Sequence, residues 1–177
     1  MKSFPIVISV VGHSGAGKTT LVEKLIRELN SRGLKVATLK HAHHRVELDT
    51  PGKDSYRYKA AGAAMSMLLT KDALQIVADA KDGRNPEELA RRYMNDVDIV
   101  LAEGFSHAPG AKIEVLRRAL EKPPRCQIAD NLIAMVTDMD EAHPELPHFG
   151  LEEIKSIAQF MLDSRFRGND SQTNSPR

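Results

Sequence analysis

Short apolar runs recur along the chain and predict seven strands of an α/β protein. They occupy residues 6–11, 36–39, 65–69, 74–77, 99–102, 113–116 and 132–136. Several of them are apolar throughout, which is typical of strands buried on both faces of a parallel sheet. Only Lys71 and Asp72 separate segments 65–70 and 73–78, so we predict an antiparallel hairpin there. The pattern as a whole predicts a mixed, mostly parallel β-sheet that includes this hairpin.

Four helices are predicted from apolar spacing and from end signals, and they would flank the sheet. They are a helix over Leu21, Leu25, Ile26 and Leu29, a helix from Asp54 to Ala61, a helix from Asn85 to Met94, and a helix from about Leu151 to Leu162. Gly33 and Gly62 follow the first two helices, where a left-handed residue is favoured. Pro86 stands at the first helical position of the third, after a capping asparagine.

Length and composition are those of one globular domain. The 177 residues are 41% hydrophobic, which is sufficient for one α/β core, and we predict a single domain over residues 1–163. Residues 164–177 lack apolar periodicity, and we predict a disordered tail there.

Net charge and cysteine content restrict the classes of partner and of site. A formal net charge of +1 gives no global preference for nucleic acid or for an anionic membrane, so neither is expected as a partner. The single cysteine, Cys126, excludes an internal disulfide and a cysteine-based zinc cluster. No segment reaches the ~20 apolar residues of a membrane span, and the N-terminus does not resemble a signal peptide, so we expect a cytoplasmic protein.

The segment GHSGAGKTT matches the phosphate-binding pattern G-x-x-x-x-G-K-[ST] between a predicted strand and a predicted helix. Its glycines allow backbone N–H groups to turn toward an anion, and the helix adds its positive end. In such loops the lysine reaches the β and γ phosphates and serves catalysis, while the next hydroxyl binds Mg²⁺. We therefore predict a P-loop NTPase-like fold whose nucleotide ligands are Gly12, His13, Ser14, Gly15, Ala16, Gly17, Lys18, Thr19 and Thr20. His13 stands where ParA-like P-loop proteins have a lysine, so their signature is absent.

A second magnesium-binding group is expected at the end of a neighbouring strand. The segment DIVLAEGF places Asp98 at the start of a predicted strand and Glu103 at its end. Ligands of open α/β sheets lie at the carboxyl ends of strands, so Glu103 is the better metal candidate. Gly104 follows it and would let the backbone approach the γ-phosphate.

The residues leave the identity of the nucleotide base open. The guanine-binding pattern N-K-x-D is absent. Asp138 follows the last predicted strand, where it is either an acceptor for guanine N1 and N2 or an ordinary turn aspartate.

A histidine-rich segment after the second predicted strand has three interpretations, and the residues leave all three open. His41, His43 and His44 with Asp49 offer imidazole and carboxylate ligands for a transition metal. Alternatively the segment binds an anion or is a solvated loop; its cations are Lys40, Arg45, Lys53, Arg57 and Lys59. Its expected place at the carboxyl edge of the sheet favours the anion interpretation and a switch or lid beside the phosphate loop.

The combination of GHSGAGKTT, LKHAHH, DTPGKDSYRYKAAGA and DIVLAEGF resembles the molybdopterin-guanine dinucleotide biosynthesis protein B family, MobB. The resemblance runs from about residue 7 to residue 116. It implies a small GTP-binding protein, often a homodimer, that associates with the guanylyltransferase attaching GMP to molybdopterin. It also implies weak GTP hydrolysis and an accessory role, with molybdopterin itself or a molybdoenzyme chaperone as a further partner.

The resemblance also implies roles for particular residues. The magnesium ligands would be Thr19 and Glu103, with Asp49 as a further polar contact to the magnesium shell. The family commonly has a lysine after E-G-F, where this chain has Ser106 followed by His107. The GTP phosphates would be held by Gly15, Gly17, Lys18, Thr19 and Thr20.

Two other functions remain open at this stage. The phosphate loop alone permits a small-molecule kinase, with the histidine-rich segment binding an anionic acceptor. The histidines also suggest a metallochaperone GTPase of the nickel-insertion type. Binding of Ni²⁺ or Zn²⁺ that depends on His41, His43 and His44 would favour the second.

Overall fold

The chain forms two compact units, which a computed structural model describes for residues 4–42, 46–79, 85–139 and 143–163. One unit combines 1–41 with 84–177, and the other is 42–83. The predicted tail lies outside the described residues, and the single domain predicted over 1–163 stays a prediction. Among the helices that the structure describes, none is long and apolar enough to cross a membrane.

The elements alternate between strands and helices along most of the chain. In chain order they are β1 (Ile6–Val11), α1 (Lys18–Ser31), β2 (Val36–Lys40), α2 (Asp54–Ala60), β3 (Met65–Leu69), β4 (Leu74–Ala78), α3 (Pro86–Tyr93), β5 (Ile99–Glu103), β6 (Lys112–Leu116), β7 (Leu132–Thr137), β8 (His148–Phe149) and α4 (Ile154–Leu162). All seven predicted strands and all four predicted helices are therefore confirmed. The two-residue strand β8 was not predicted, because so short an element has no detectable periodicity.

The first unit contains a six-stranded sheet in the order β2-β5-β1-β6-β7-β8. Every neighbouring pair in it is parallel. The interior strands β5 and β6 are buried almost throughout, as the apolar run Ile99–Ala102 predicts for β5, whereas β6 also buries the charged residues Lys112 and Glu114.

The hairpin of β3 and β4 lies in the second unit and forms a two-stranded antiparallel sheet of its own. The prediction of a hairpin is confirmed, but its placement inside a mixed sheet is wrong. The two strands of a hairpin pair the backbone groups that face each other and need no third strand for this. Most of its side chains are exposed, whereas strands inside the parallel sheet are buried.

Helices α1 and α4 cover one face of the parallel sheet. Leu25 and Leu29 of α1 and Ile157 of α4 are fully buried in the same apolar cluster as Ile8 and Val10 of β1. Burial of each such side chain stabilises the fold by about 1.5–3 kcal/mol. A second cluster on the other face contains Val11, Leu116, Cys126, Leu132 and Met135.

The register of the sheet places three strand ends side by side. Val10 of β1 pairs with Glu103 of β5, and Glu103 pairs in turn with Lys40 of β2. Because the strands are parallel, the chain leaves all three at the same edge. The loop that follows β1 therefore begins beside Glu103 and Lys40.

Gly12 begins that loop at φ +138°, and a Cβ built on it would lie 2.4 Å from the carbonyl oxygen of Val115. We expect Gly12→Ala to lower the free energy of unfolding by about 3 kcal/mol or more, since backbone strain and displacement of a strand carbonyl add. Gly33→Ala is the matched control, because Gly33 has φ +81° with nothing within 4 Å of the built Cβ. The control should lose about 1 kcal/mol. Urea unfolding followed by circular dichroism measures both, and equal losses would contradict the close approach.

Candidate functional site

The loop between β1 and α1 has the backbone form that its glycines predict. Gly12, Gly15 and Gly17 all have positive φ values, of 138°, 80° and 94°. The backbone N–H of Ala16 donates to the carbonyl of His13 at 3.2 Å, which closes the loop into a tight turn. Gly17 is the residue before the first helical residue, Lys18. The positive end of α1 therefore faces the interior of this loop.

Lys18 reaches back across the loop. Its Nζ donates to the carbonyl oxygen of His13 at 2.8 Å. Burial lowers the pKa of Lys18 below its usual value; the negative Glu103 opposes this, and the cations Arg125 and Lys40 add to the lowering. The amine of Lys18 thus lies in a positive, partly desolvated place, where an anion would be favoured.

Thr19 and Glu103 meet at the edge of the sheet. The Thr19 hydroxyl donates to Glu103 Oε2 at 2.9 Å, although the two residues are 84 positions apart in the chain. The Glu103 side chain is only 14% exposed, and its Oε1 lies 3.1 Å from Lys40 Nζ. A hydroxyl and a carboxylate are hard oxygen donors of the kind that Mg²⁺ prefers. The residues present therefore fit a magnesium ion together with phosphate oxygens.

Lys40, one of the cations of the histidine-rich segment, lies at this site beside Glu103. Lys59 has a different role, because its amine donates to the carbonyls of Ala63 and Ala64 and to Asp79 within the second unit. The interpretation of the segment as an anion patch that includes Lys59 stays a prediction. Arg57 lies 3.5 Å from Asp54, and Arg45 falls outside the described residues.

The histidine cluster is described only in part. The backbone N–H of His41 donates to the Glu103 carbonyl at 3.0 Å, and its ring lies 5.2 Å from the ring of Phe105. His43 and His44 lie outside the described residues. Within the described ranges, no group of three histidine, cysteine, aspartate or glutamate residues could hold a metal ion. The transition-metal interpretation stays a prediction.

Gly104 has a structural reason for being glycine. Its φ is +95°, and a built Cβ would lie 3.3 Å from the Cβ of His41. Its N–H donates to the carbonyl of Val10 at 3.0 Å. The predicted approach of its backbone to the γ-phosphate stays a prediction. Phe105 also has a positive φ, 60°, which is unusual for an aromatic residue and was not foreseen.

Asp49 belongs to the second unit. Its Oδ1 accepts the N–H of Thr50 at 2.8 Å. Its Oδ2 is buried and has no hydrogen-bond partner among the described residues. The predicted contact of Asp49 to a magnesium shell stays a prediction.

Asp138 follows β7 and bonds the residues that follow β6. Its Oδ1 accepts the backbone N–H of Arg118 at 2.7 Å, and its Oδ2 accepts Nε of Arg117 at 2.9 Å. The bond from the Arg118 backbone, followed by that from the Arg117 side chain, lowers the pKa of Asp138. Both oxygens thus have partners within the chain, which supports the structural explanation of this aspartate.

Glu114 was missed in the sequence, where it is the one acidic residue within the predicted strand 113–116. It is fully buried, and its two oxygens accept the backbone N–H groups of Arg125 and Cys126 at 2.6 and 2.9 Å. Burial, and then the negative Glu114, raises the pKa of the Cys126 thiol to about 11. A carboxylate inside an apolar strand was the available signal, because such a group is buried only with partners.

A comparison with protein families matches residues 7–138 to the model of MobB, described as molybdopterin guanine dinucleotide synthesis protein B. A Haemophilus influenzae protein named molybdopterin-guanine dinucleotide biosynthesis adapter protein is 36% identical over 133 residues, which cover 75% of this chain and 74% of that protein. The Escherichia coli protein of the same name is 30% identical over 164 residues, covering 89% and 91%.

Solved structures of the same family also align with this chain. A crystal structure of molybdopterin-guanine biosynthesis protein B aligns with a TM-score of 0.69 at 27% identity and covers 88% of this chain and 97% of its own. The Bacillus subtilis MobB structure aligns with a TM-score of 0.68 at 30% identity, with the same coverage. The family model's range, residues 7–138, includes the phosphate loop and Glu103.

Proposed function

The chain belongs to the family of molybdopterin guanine dinucleotide synthesis protein B, and on this premise we propose that it is a GTP-binding adapter in molybdenum cofactor biosynthesis. The relatives from Haemophilus influenzae and Escherichia coli are both named adapter proteins. In this proposal the protein assists a molybdopterin guanylyltransferase and does not itself carry out the transfer of GMP.

The contact between Thr19 and Glu103 carries the proposal of nucleotide binding. It joins the last residue of the G-x-x-x-x-G-K-[ST] pattern to the carboxylate at the end of the adjacent strand. In P-loop proteins these two positions hold the magnesium ion of a bound nucleotide. The pair supports Mg²⁺ with a nucleoside triphosphate as the ligand.

Different groups of the loop and the strand ends would bind the phosphates and the magnesium ion. Backbone N–H groups of the loop 13–17 would donate hydrogen bonds to the phosphate oxygens, and the positive end of α1 would stabilise their negative charge. Lys18 would exchange its present acceptor, the His13 carbonyl, for phosphate oxygens. Thr19 and Glu103 would hold Mg²⁺, which neutralises charge on phosphate oxygens when it is bound.

We propose slow hydrolysis of the bound nucleotide. The motifs GHSGAGKTT, LKHAHH and DIVLAEGF contain no glutamine to orient an attacking water. A partner could supply the missing group, which suits an adapter whose nucleotide state matters more than its turnover.

The proposal includes a homodimer in the cytoplasm, with molybdopterin or a molybdoenzyme chaperone as further candidate partners. The second unit supports an association role, because its hairpin and helix expose large apolar side chains. These include Tyr58, Met67, Leu68, Leu69 and Leu74. Apolar patches of this kind often mark protein interfaces.

Removal of the loop lysine tests the phosphate site. We expect Lys18→Ala to weaken binding of GTP with Mg²⁺ about tenfold or more, because a charge-assisted contact contributes ~1.5–3 kcal/mol. Lys24→Ala is the matched control, since Lys24 lies on the same helix and pairs with Glu152. Isothermal titration calorimetry measures both, and GTP affinity that survives Lys18→Ala would refute the site.

Neutralising the carboxylate tests the metal site. Glu103→Gln keeps the size of the side chain and an acceptor for Thr19, and we expect it to weaken GTP binding in Mg²⁺ more than in EDTA. Asp98→Asn at the other end of β5 is the control, because Asp98 bonds the Lys35 backbone away from this edge. Equal losses with and without Mg²⁺ would show that Glu103 is only a strand-end charge.

A comparison of nucleotides with and without a guanylyltransferase tests the function itself. We expect GTP to bind more tightly than ATP, and free phosphate to form slowly without any acceptor. We also expect the guanylyltransferase to co-elute with this protein in size-exclusion chromatography. Nucleotide consumption that requires a small-molecule acceptor would instead support a kinase and overturn the proposal.

A further inference from the structure

The segment 117–127, between β6 and the turn Ile128–Asp130, lies against the phosphate loop. His13 Nε2 is 3.0 Å from the carbonyl oxygen of Pro123. A Cβ built on Gly15 would lie 4.0 Å from Cδ2 of Leu120. His13 thus contacts a residue 110 positions later in the chain, and Leu120 lies next to the side of Gly15 where a side chain would be.

Glu114 fixes the far end of this segment. Its buried carboxylate accepts the N–H of Arg125 at 2.6 Å and that of Cys126 at 2.9 Å. Cys126 is itself buried, whereas Arg125 is exposed. The backbone of Arg125 is therefore held by a fully buried group, while its side chain remains available to solvent or to a ligand.

The charge around Lys18 is unbalanced. The negative charge of Glu103 raises the pKa of Lys18, whereas the positive charges of Arg125 and Lys40 lower it. Glu103 is already bonded to Thr19 and to Lys40. The guanidinium of Arg125 makes no ion pair with any carboxylate in the described parts of the chain. Three cations against one occupied carboxylate create a local excess of positive charge, which suits a polyanion.

We propose that Arg125 is a second phosphate-binding cation of this site, presented by segment 117–127 and positioned by Glu114. The proposal rests on nucleotide binding at the phosphate loop and adds a residue that lies outside the P-loop pattern. A planar guanidinium donates two parallel hydrogen bonds to phosphate oxygens, which a lysine cannot do. The ligand chemistry is that of a nucleoside triphosphate with its Mg²⁺.

Binding of GTP with Mg²⁺ to the full chain tests this proposal. We expect Arg125→Ala to weaken binding about tenfold or more and to reduce the dependence of the affinity on salt. Arg125→Lys should fall between Arg125→Ala and the unchanged protein. Lys122→Ala, which removes an exposed cation from the same segment, should change the affinity less than about twofold. The melting temperature without nucleotide should be the same in all four proteins.

The outcomes separate this inference from the proposed function. If Lys18→Ala abolishes binding and Arg125→Ala binds as the unchanged protein does, the inference is overturned and the proposed function stands. If Lys18→Ala also binds normally, both fail.

The positioning role of Glu114 is tested by a double-mutant cycle. Glu114→Gln replaces one acceptor by an amide donor and should weaken GTP binding by releasing Arg125. In the Arg125→Ala background, the same change should have almost no further effect on affinity. If the two effects multiply, Glu114 acts on the fold in general and not through Arg125.

Discussion

The parallel pairing of β1 with β5 sets the position of the phosphate loop relative to Glu103. It puts Val10 opposite Glu103, so the phosphate loop leaves β1 beside a carboxylate that is 91 positions later in the sequence than Gly12. Lys40 arrives at the same edge from β2 by the same register. A shift of one residue in the β1–β5 pairing would turn Glu103 to the opposite face relative to β1 and separate it from Thr19.

Two buried carboxylates position the side chains and backbone groups that strand pairing does not fix. Glu103 is nearly buried between Thr19 and Lys40, and Glu114 is fully buried on two backbone N–H groups. Removal of the Glu114 carboxylate would leave the N–H groups of Arg125 and Cys126 without acceptors in a poorly hydrated place, at about 1–3 kcal/mol for each unsatisfied group. Such groups are tolerated where they fix geometry, and both occur within contact distance of the phosphate loop or of the segment that covers it.

Local signals predicted the strands, the helices and the phosphate loop, because each depends on residues close in sequence. Apolar runs and the spacing of Gly12, Gly17 and Lys18 were sufficient for these. The position of the β3–β4 hairpin, the bonds of Asp138 and the contact of His13 with Pro123 depend on partners far along the chain. No local pattern encodes them, and the same holds for Arg125, whose place is visible only once Glu114 is known to be buried.

The present contacts of the site resemble those that a magnesium nucleotide would make. Lys18 bonds a carbonyl oxygen in place of a phosphate oxygen, and Lys40 supplies the positive charge on Glu103 that Mg²⁺ would supply. Binding of nucleotide would therefore exchange contacts and would not simply add them. An exchange of similar contacts yields a small net free energy and keeps the ligand reversible. Reversible occupancy fits the proposed role of a nucleotide-binding adapter, because both the free and the bound state must be populated for a partner to distinguish them.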